Sequence, residues 1–369
     1  MSQRDTAVAT LPGAQYLAEI REQPAALRRL LEHRAEFTRV AEAATKHGSG
    51  IVRMVGHGSS DNAASFGVYA FGLLPGLTAA RDSISLLVYY GAKVDLSGSI
   101  VVALSQSGRT PDVLEYVERA RRGGAFTIAV TNEPDSELAQ AAEAVLPLEA
   151  GAELAIAATK TYSNQLAALA LLAGCLAGRC DELAGLVGEV ADQMEEQLPE
   201  LERLARSISV PFTAVARMFV IGRGPEFATA REIALKLLET CQIAAEPLTA
   251  TDLAHGPVAA LDPLFPVWSI ASEDETLEAV VDATARARAA GATVVASGTA
   301  AGATLVASGD AADALTGAAY SLPVPRPPSP LLSPLLSVVP GQLFAGAVAR
   351  AKGLDPDKPR GLSKVTLAR

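Results

Sequence analysis

Short apolar strands separated by helices constrain this chain more than any other feature, because strand–helix alternation builds βαβ units and parallel sheets. Residues 51 to 56 (IVRMVG) read as a strand, followed by the polar turn HGSSDNAAS and a helical run over 63 to 71. Further strands are expected at 84 to 90, 99 to 104, 126 to 132 and 145 to 148, with helices at 111 to 122 and 136 to 144. Two long helices, about 157 to 178 and 181 to 206, close this half. After Pro211 the scheme restarts with a strand at 218 to 222, a helix at 226 to 241, strands at 266 to 271, 293 to 297 and 321 to 324, and a helix at 275 to 289. Residues 14 to 46 read as helices broken at Gln23-Pro24, where proline suits a first helical turn.

The two halves share a signature. RMVGHGSS (53 to 60) and MFVIGRGP (218 to 225) each run from strand through a Gly-x-Gly turn into a helix, and their first glycines lie 222 − 56 = 166 residues apart. This internal duplication predicts two related α/β subdomains, each a parallel sheet flanked by helices in three layers. The expected division is N-terminal helices over 1–50, a first subdomain over 51–195, a linker over 196–215, a second subdomain over 216–345, and a C-terminal helix and tail over 346–369.

Composition narrows the partners. With 369 residues, 49% of them hydrophobic, the chain can bury two cores. Its net charge of −10, without any block of Lys or Arg, argues against nucleic acid and anionic membranes. The first fifteen residues hold no apolar core of the signal-peptide kind, so a cytoplasmic protein is expected. The apolar run 166 to 177 is too short to span a bilayer, and the uncharged stretch between Arg326 and Arg350 is interrupted by five prolines, so it reads as a buried connection into a last helix. Cys175, Cys180 and Cys241 lack metal-ligand spacing and read as buried free thiols, in keeping with a reducing compartment. No metal and no cofactor is expected.

Chemistry concentrates in residues 226 to 257. The helix there is apolar on almost every side, yet Glu232, Lys236 and Glu239 fall at offsets of four and three and share one face. A carboxyl group held in apolar surroundings is suited to general acid/base work. The same spacing also describes an ordinary ion pair on a solvated face. His255 follows in a polar loop, and imidazole titrates near neutrality.

Ligands of parallel sheets sit beyond the carboxyl ends of strands. Three such ends carry unusual polar text. Ser105-Gln106-Ser107-Gly108-Arg109-Thr110 precedes a helix opened by Pro111 and can form an anion site, or alternatively a plain helix cap made by Thr110 or Ser107. Gly58-Ser59-Ser60 repeats the chemistry, and Ala158-Thr159-Lys160 after Glu153 opens another helix. Without a GxxxxGK[ST] loop, a single phosphate fits better than a nucleoside triphosphate.

The motifs SQSGRTPD, GSSDNAAS, AELAIAATKTYSNQLAAL, GRGPEFATAREIALKLLET, DLAHGP and DKPRGLSKVT together resemble the sugar-isomerase (SIS) family. The likeness is to the isomerase part of glucosamine-6-phosphate synthase and to stand-alone hexosamine-6-phosphate deaminases, and it covers roughly 20 to 369. It implies two SIS subdomains in a homodimer with active sites near the subunit contact. It further implies that Ser60, Ser105, Gln106, Ser107 and Thr110 hold a sugar phosphate, that Ser59 meets a sugar hydroxyl, and that Ala158 and Ser363 line the site. Glu239 would move a proton between C1 and C2, with Lys236 stabilising the developing charge and Glu153 and Glu232 in support. His255 would open the sugar ring from the partner subunit, and Lys364 would close the site and can form a Schiff base with a ketose.

Three positions depart from the family pattern. His57 stands where the synthase has cysteine and the deaminases tend to have arginine, Leu238 replaces the lysine usual before the glutamate, and Ala244-Ala245-Glu246 replaces a hydrophobic-His-Ala-Glu run. The synthase's glutaminase half has no counterpart, since Cys175 is the first cysteine. The expected reaction is therefore deamination of a phosphorylated amino sugar, glucosamine 6-phosphate giving fructose 6-phosphate and ammonia. Another amino-sugar or ketosamine phosphate, a glutaminase-lacking synthase-like isomerase and a non-catalytic sugar-phosphate receptor stand as alternatives.

Overall fold

The structure, a computed structural model, describes residues 11–48, 50–297, 307–308, 319–320, 322 and 324–364. Helices α1 (Ala14–Arg21), α2 (Gln23–Glu32) and α3 (Arg34–His47) lead into the first half. That half comprises β1 (Ile51–Val55), α4 (Ser59–Leu73), β2 (Thr78–Arg81), α5 (Ile84–Val88), β3 (Ser99–Leu104), α6 (Pro111–Arg122), β4 (Phe126–Thr131), α7 (Glu137–Ala141) and β5 (Ala144–Pro147). The long helices α8 (Lys160–Leu176) and α9 (Cys180–Ser209) follow. The second half runs β6 (Arg217–Gly222), α10 (Glu226–Cys241), β7 (Ala244–Thr249), β8 (Val267–Ile270), α11 (Leu277–Ala289), β9 (Val294–Ser297), β10 (Ala307–Ser308) and α12 (Ser333–Ala351).

Both sheets are wholly parallel, in the orders β2-β1-β3-β4-β5 and β10-β9-β8-β6-β7. Strands β3 and β4 are buried on both faces, which explains their unbroken apolar text. The duplication extends past the glycine turn. Met54 pairs with Val102 in the first sheet and Val220 with Trp268 in the second, and both differences, 220 − 54 and 268 − 102, equal 166. Helices α6 and α11 begin 277 − 111 = 166 residues apart as well.

Several elements differ from the sequence reading. Residues 84 to 90 form helix α5 (Ile84–Val88) and the turn after it rather than a strand, the helix capped by Ser83, whose Oγ accepts from the Leu86 N–H at 3.4 Å. The sheet edge is taken instead by β2, a short and largely exposed TAAR segment without hydrophobic alternation. The edge strand β7 was likewise unmarked. Over the expected linker, 196 to 215, α9 runs through Pro199 to Ser209 and a 3-10 turn covers Val210–Ala214. The last helix begins at Ser333, well before residue 346, so Pro334 and Pro340 lie within it, while Pro327 and Pro328 precede it and Pro330 opens a 3-10 turn. The strand expected at 321 to 324 falls partly outside the described residues. Cys175 and Cys180 are joined as a disulfide and half-buried, because the tight turn between α8 and α9 brings their Cα atoms to 4.1 Å. The cysteine argument for a reducing compartment therefore lapses; Cys241 alone is a buried free thiol, pushed up to about 11 by burial.

One hydrophobic core joins the halves, drawing on β1, β3, α8, α10 and α12 together. Helix α12, with the turn before it, is the one stretch among the described residues long and apolar enough to cross a membrane, and its apolar body is buried inside the fold. It packs on α10 through Gly341, where an added Cβ would lie 2.3 Å from Ile233 Cγ1. Gly341→Ala should thus be destabilising by about 1–3 kcal/mol through overpacking, although alanine is the better helix former. Denaturant unfolding checks this, and a more stable variant would show that glycine does not set the α10–α12 spacing.

Candidate active site

A cleft of about 450 Å³ opens beyond the carboxyl ends of β1 and β3, where the strand order reverses, the place parallel sheets offer to ligands. One wall is the turn between β3 and α6. Gly108 takes φ +60° there, and a Cβ would collide with the Ser136 hydroxyl, so the turn requires glycine. Ser105 Oγ accepts from the Gly108 N–H and lies 3.1 Å from Thr110 Oγ1. Thr110 precedes α6 without a side-chain capping bond, so the turn is not the plain helix cap that the sequence also allowed. Gln106, Ser107 and, from the neighbouring turn, Ser59 and Ser60 line the same space. Ser60 Oγ accepts from Gln165 Nε2 at 2.9 Å, which fixes it from behind.

Helix α10 forms the opposite wall. Lys236 and Glu232 are fully buried, so the solvated-face alternative fails for both. Leu238 points outward instead, 53% exposed, so the helix's apolar text does not mean burial on that side. Lys236 Nζ donates to Glu239 Oε2 at 2.6 Å and lies 3.4 Å from Glu232 Oε1. Glu232 also accepts from Ser59 Oγ at 2.9 Å and Asn62 Nδ2 at 2.8 Å. Burial pushes the Glu232 carboxyl above its ordinary range, against the lowering pull of Lys236 and Asn62. Burial lowers the Lys236 ammonium, but the two carboxylates outweigh it and its pKa stands raised. Glu239 lines the cleft and keeps part of its side chain exposed.

The third wall is Glu153, Ile156 and Ala158 with the tail residues Leu362, Ser363 and Lys364. Glu153 is buried, which raises its pKa, yet Lys364 and hydrogen bonds from Thr159 and Thr161 leave it lowered overall. Lys364 Nζ donates to Glu153 Oε2 at 2.8 Å and to the Ala155 carbonyl at 2.7 Å. The tail is anchored upstream by Asp357, which accepts from the Tyr16 N–H at 2.6 Å.

Of the residues singled out in the sequence, the cleft gathers Glu239, Lys236, Lys364, Ser59, Ser60, Ser105, Gln106, Ser107, Thr110, Ala158, Ser363 and Glu153, with Glu232 just behind. His255 is not among them. It ends the 3-10 turn Asp252–His255, exposed and outside the cleft of its own chain. Asn62, Asp112, Ile156 and Leu362 were missed. Asp112 Oδ2 lies 2.9 Å from His57 Nε2, a contact between the turn after β1 and the first turn of α6 that is invisible to local spacing.

Fold and cleft together define a doubled parallel-sheet protein with a hydroxyl-lined turn facing a buried lysine–carboxylate cluster. The chain belongs to the SIS domain family, whose model matches residues 51–174 and 212–321. It is 36% identical over 364 residues to the glutamine–fructose-6-phosphate aminotransferase (isomerizing) of Symbiobacterium thermophilum, covering 94% of this chain and 58% of that protein. The chain thus spans little more than half the length of the curated relatives it matches. Among solved structures it resembles the C-terminal domain of glucosamine-fructose-6-phosphate aminotransferase from Francisella tularensis, with TM-score 0.80 and 24% identity over 94% of this chain and 98% of that one. It also resembles a glucosamine-6-phosphate deaminase from Thermotoga maritima, with TM-score 0.73 and 22% identity over 96% of this chain and 100% of that one.

Lys236→Met tests the buried cluster. Without the ammonium, Glu232 binds its proton more tightly in the folded state than in the unfolded chain, so stability falls as pH rises above the ordinary 4.5. The deficit should reach about 3–5 kcal/mol at pH 8 and shrink towards pH 4.5. Unfolding by denaturant at the two pH values reads it, and a pH-independent deficit would separate Glu232 from the lysine.

Proposed function

We propose that the chain is a SIS-type hexosamine-6-phosphate deaminase and isomerase, converting glucosamine 6-phosphate and water to fructose 6-phosphate and ammonia. The observation that carries this reading is that Glu239, 2.6 Å from a fully buried Lys236, shares one cleft with the Ser105–Thr110 turn. The hydroxyls of Ser60, Ser105, Ser107 and Thr110 bind the phosphate, while Ser59 meets a sugar hydroxyl. Glu239 takes the proton from C2 and returns it to C1, and the Lys236 ammonium stabilises the negative charge that develops between them. The resulting C2 imine is hydrolysed, releasing ammonia. Lys364, engaged by Glu153, covers the cleft rather than attacking the substrate.

Ring opening is assigned to His255. Because this residue lies outside the cleft of its own chain, the reading requires a homodimer in which it reaches the site of the other copy. The same exposure favours a second reading, a sugar-phosphate receptor without chemistry. Ammonia release across a panel of amino-sugar phosphates separates the two and identifies the epimer.

Glu239→Gln should retain substrate binding and lower kcat by on the order of 10²–10⁴; unchanged turnover would remove Glu239 from the mechanism. Mixing inactive Glu239→Gln and His255→Ala proteins under exchanging conditions should restore activity, since one mixed site then carries both groups. No recovery would place the ring-opening group elsewhere.

A further inference from the structure

We propose that His57, held by Asp112, is a ligand of the substrate's phosphoryl group and makes the cleft specific for phosphorylated over unphosphorylated sugars. This inference rests on the phosphate position assigned above. His57 follows Gly56 at the end of β1, and Asp112 is the second residue of α6, so their 2.9 Å contact bridges the two turns that line the cleft. Asp112 is nearly buried and its second oxygen accepts from the Val113 N–H at 2.9 Å, which leaves the carboxylate little freedom to turn away.

The cations of the cleft make His57 distinctive. Lys236 is engaged by Glu232 and Glu239, and Lys364 by Glu153, so both ammonium groups across the cleft are already paired with carboxylates. Arg109, though in the anion turn, is exposed and does not line the cleft. His57 lines it with its side chain 56% exposed. Asp112 engages Nε2, so the Nδ1 edge is the one left to meet a phosphoryl oxygen, as a donor when the ring carries a hydrogen on each nitrogen. Of the three departures from the family pattern, Leu238 is exposed on the outer side of α10 and Ala244–Glu246 belong to edge strand β7; only His57 meets the cleft.

The test uses the full chain, with inorganic phosphate titrated calorimetrically and KM and kcat measured on glucosamine 6-phosphate. His57→Gln should weaken phosphate about tenfold or more and raise KM in parallel, the range of one charge-assisted hydrogen bond. Its kcat should change by less than about threefold, as befits uniform binding. His57→Lys should recover phosphate affinity by restoring a cation, a rescue that a merely structural bridge would not give. Ser107→Ala serves as the control for the phosphate position. If Ser107→Ala weakens phosphate while His57→Gln, folded by its melting curve, binds as wild type does, the role of His57 is overturned and the site stands. If wild type binds no phosphate, the parent reading falls and this one with it.

Discussion

The complete burial of Lys236 between Glu232 and Glu239 is the constraint from which the rest of the site follows. A buried ammonium and a buried carboxylate contribute little net stability, since desolvation offsets their attraction. What they supply is geometry. Glu232 is held by Ser59 and Asn62 of α4, and Arg231 pairs with Asp61 of the same helix at 2.7 Å. Helix α10 of the second half is thereby fastened to α4 of the first, and the cleft between β1 and β3 acquires a wall that its own sheet cannot provide.

The duplication shows what the second half holds at the point that corresponds to the cleft. The constant offset of 166 residues places Glu226 where the first half has Ser60, since 226 − 60 = 166. Glu226 is buried, and its Oε1 accepts from Ser272, Ser333 and Ser337 at 2.6, 2.5 and 2.8 Å. The chain's own carboxylate occupies the second switch point. Where the first half has Ser107-Gly108-Arg109, the second has Glu273-Asp274-Glu275, and those charges repel an anion. Burial raises the Glu226 pKa against all its hydroxyl donors, as expected for a site sealed from water.

What the sequence made legible was whatever is encoded locally. The helix from Glu226 to Cys241, strand 99 to 104 and the Ser105–Thr110 turn appear as read, because period, propensity and glycine position agree there. Residues 84 to 90 were misread because ISLLVYY has strong strand propensity, while the cap at Ser83 and packing on α6 decide for helix. Edge strands β2 and β7 escaped because an edge needs no continuous apolar run. The outward turn of Leu238 and the His57–Asp112 contact depend on how distant elements dock, which local spacing does not record.

The assignment of the base can be argued from satisfaction alone. Three carboxylates line the cleft: Asp112, Glu153 and Glu239. Asp112 spends one oxygen on His57 and the other on its neighbour's N–H. Glu153 accepts from the Thr159 and Thr161 N–H groups through one oxygen and from the Thr161 hydroxyl and Lys364 through the other. Such a carboxylate is stabilised as an anion and makes a poor proton acceptor. Glu239 has Oε2 on Lys236, and its Oε1 makes no hydrogen bond among the described residues. A shuttle between adjacent carbons needs an oxygen that can be loaded and unloaded without breaking the scaffold, and a fixed ammonium beside it to hold the charge in between. Glu239 alone of the three meets both conditions, which supports the role proposed for it from the geometry of its own hydrogen bonds.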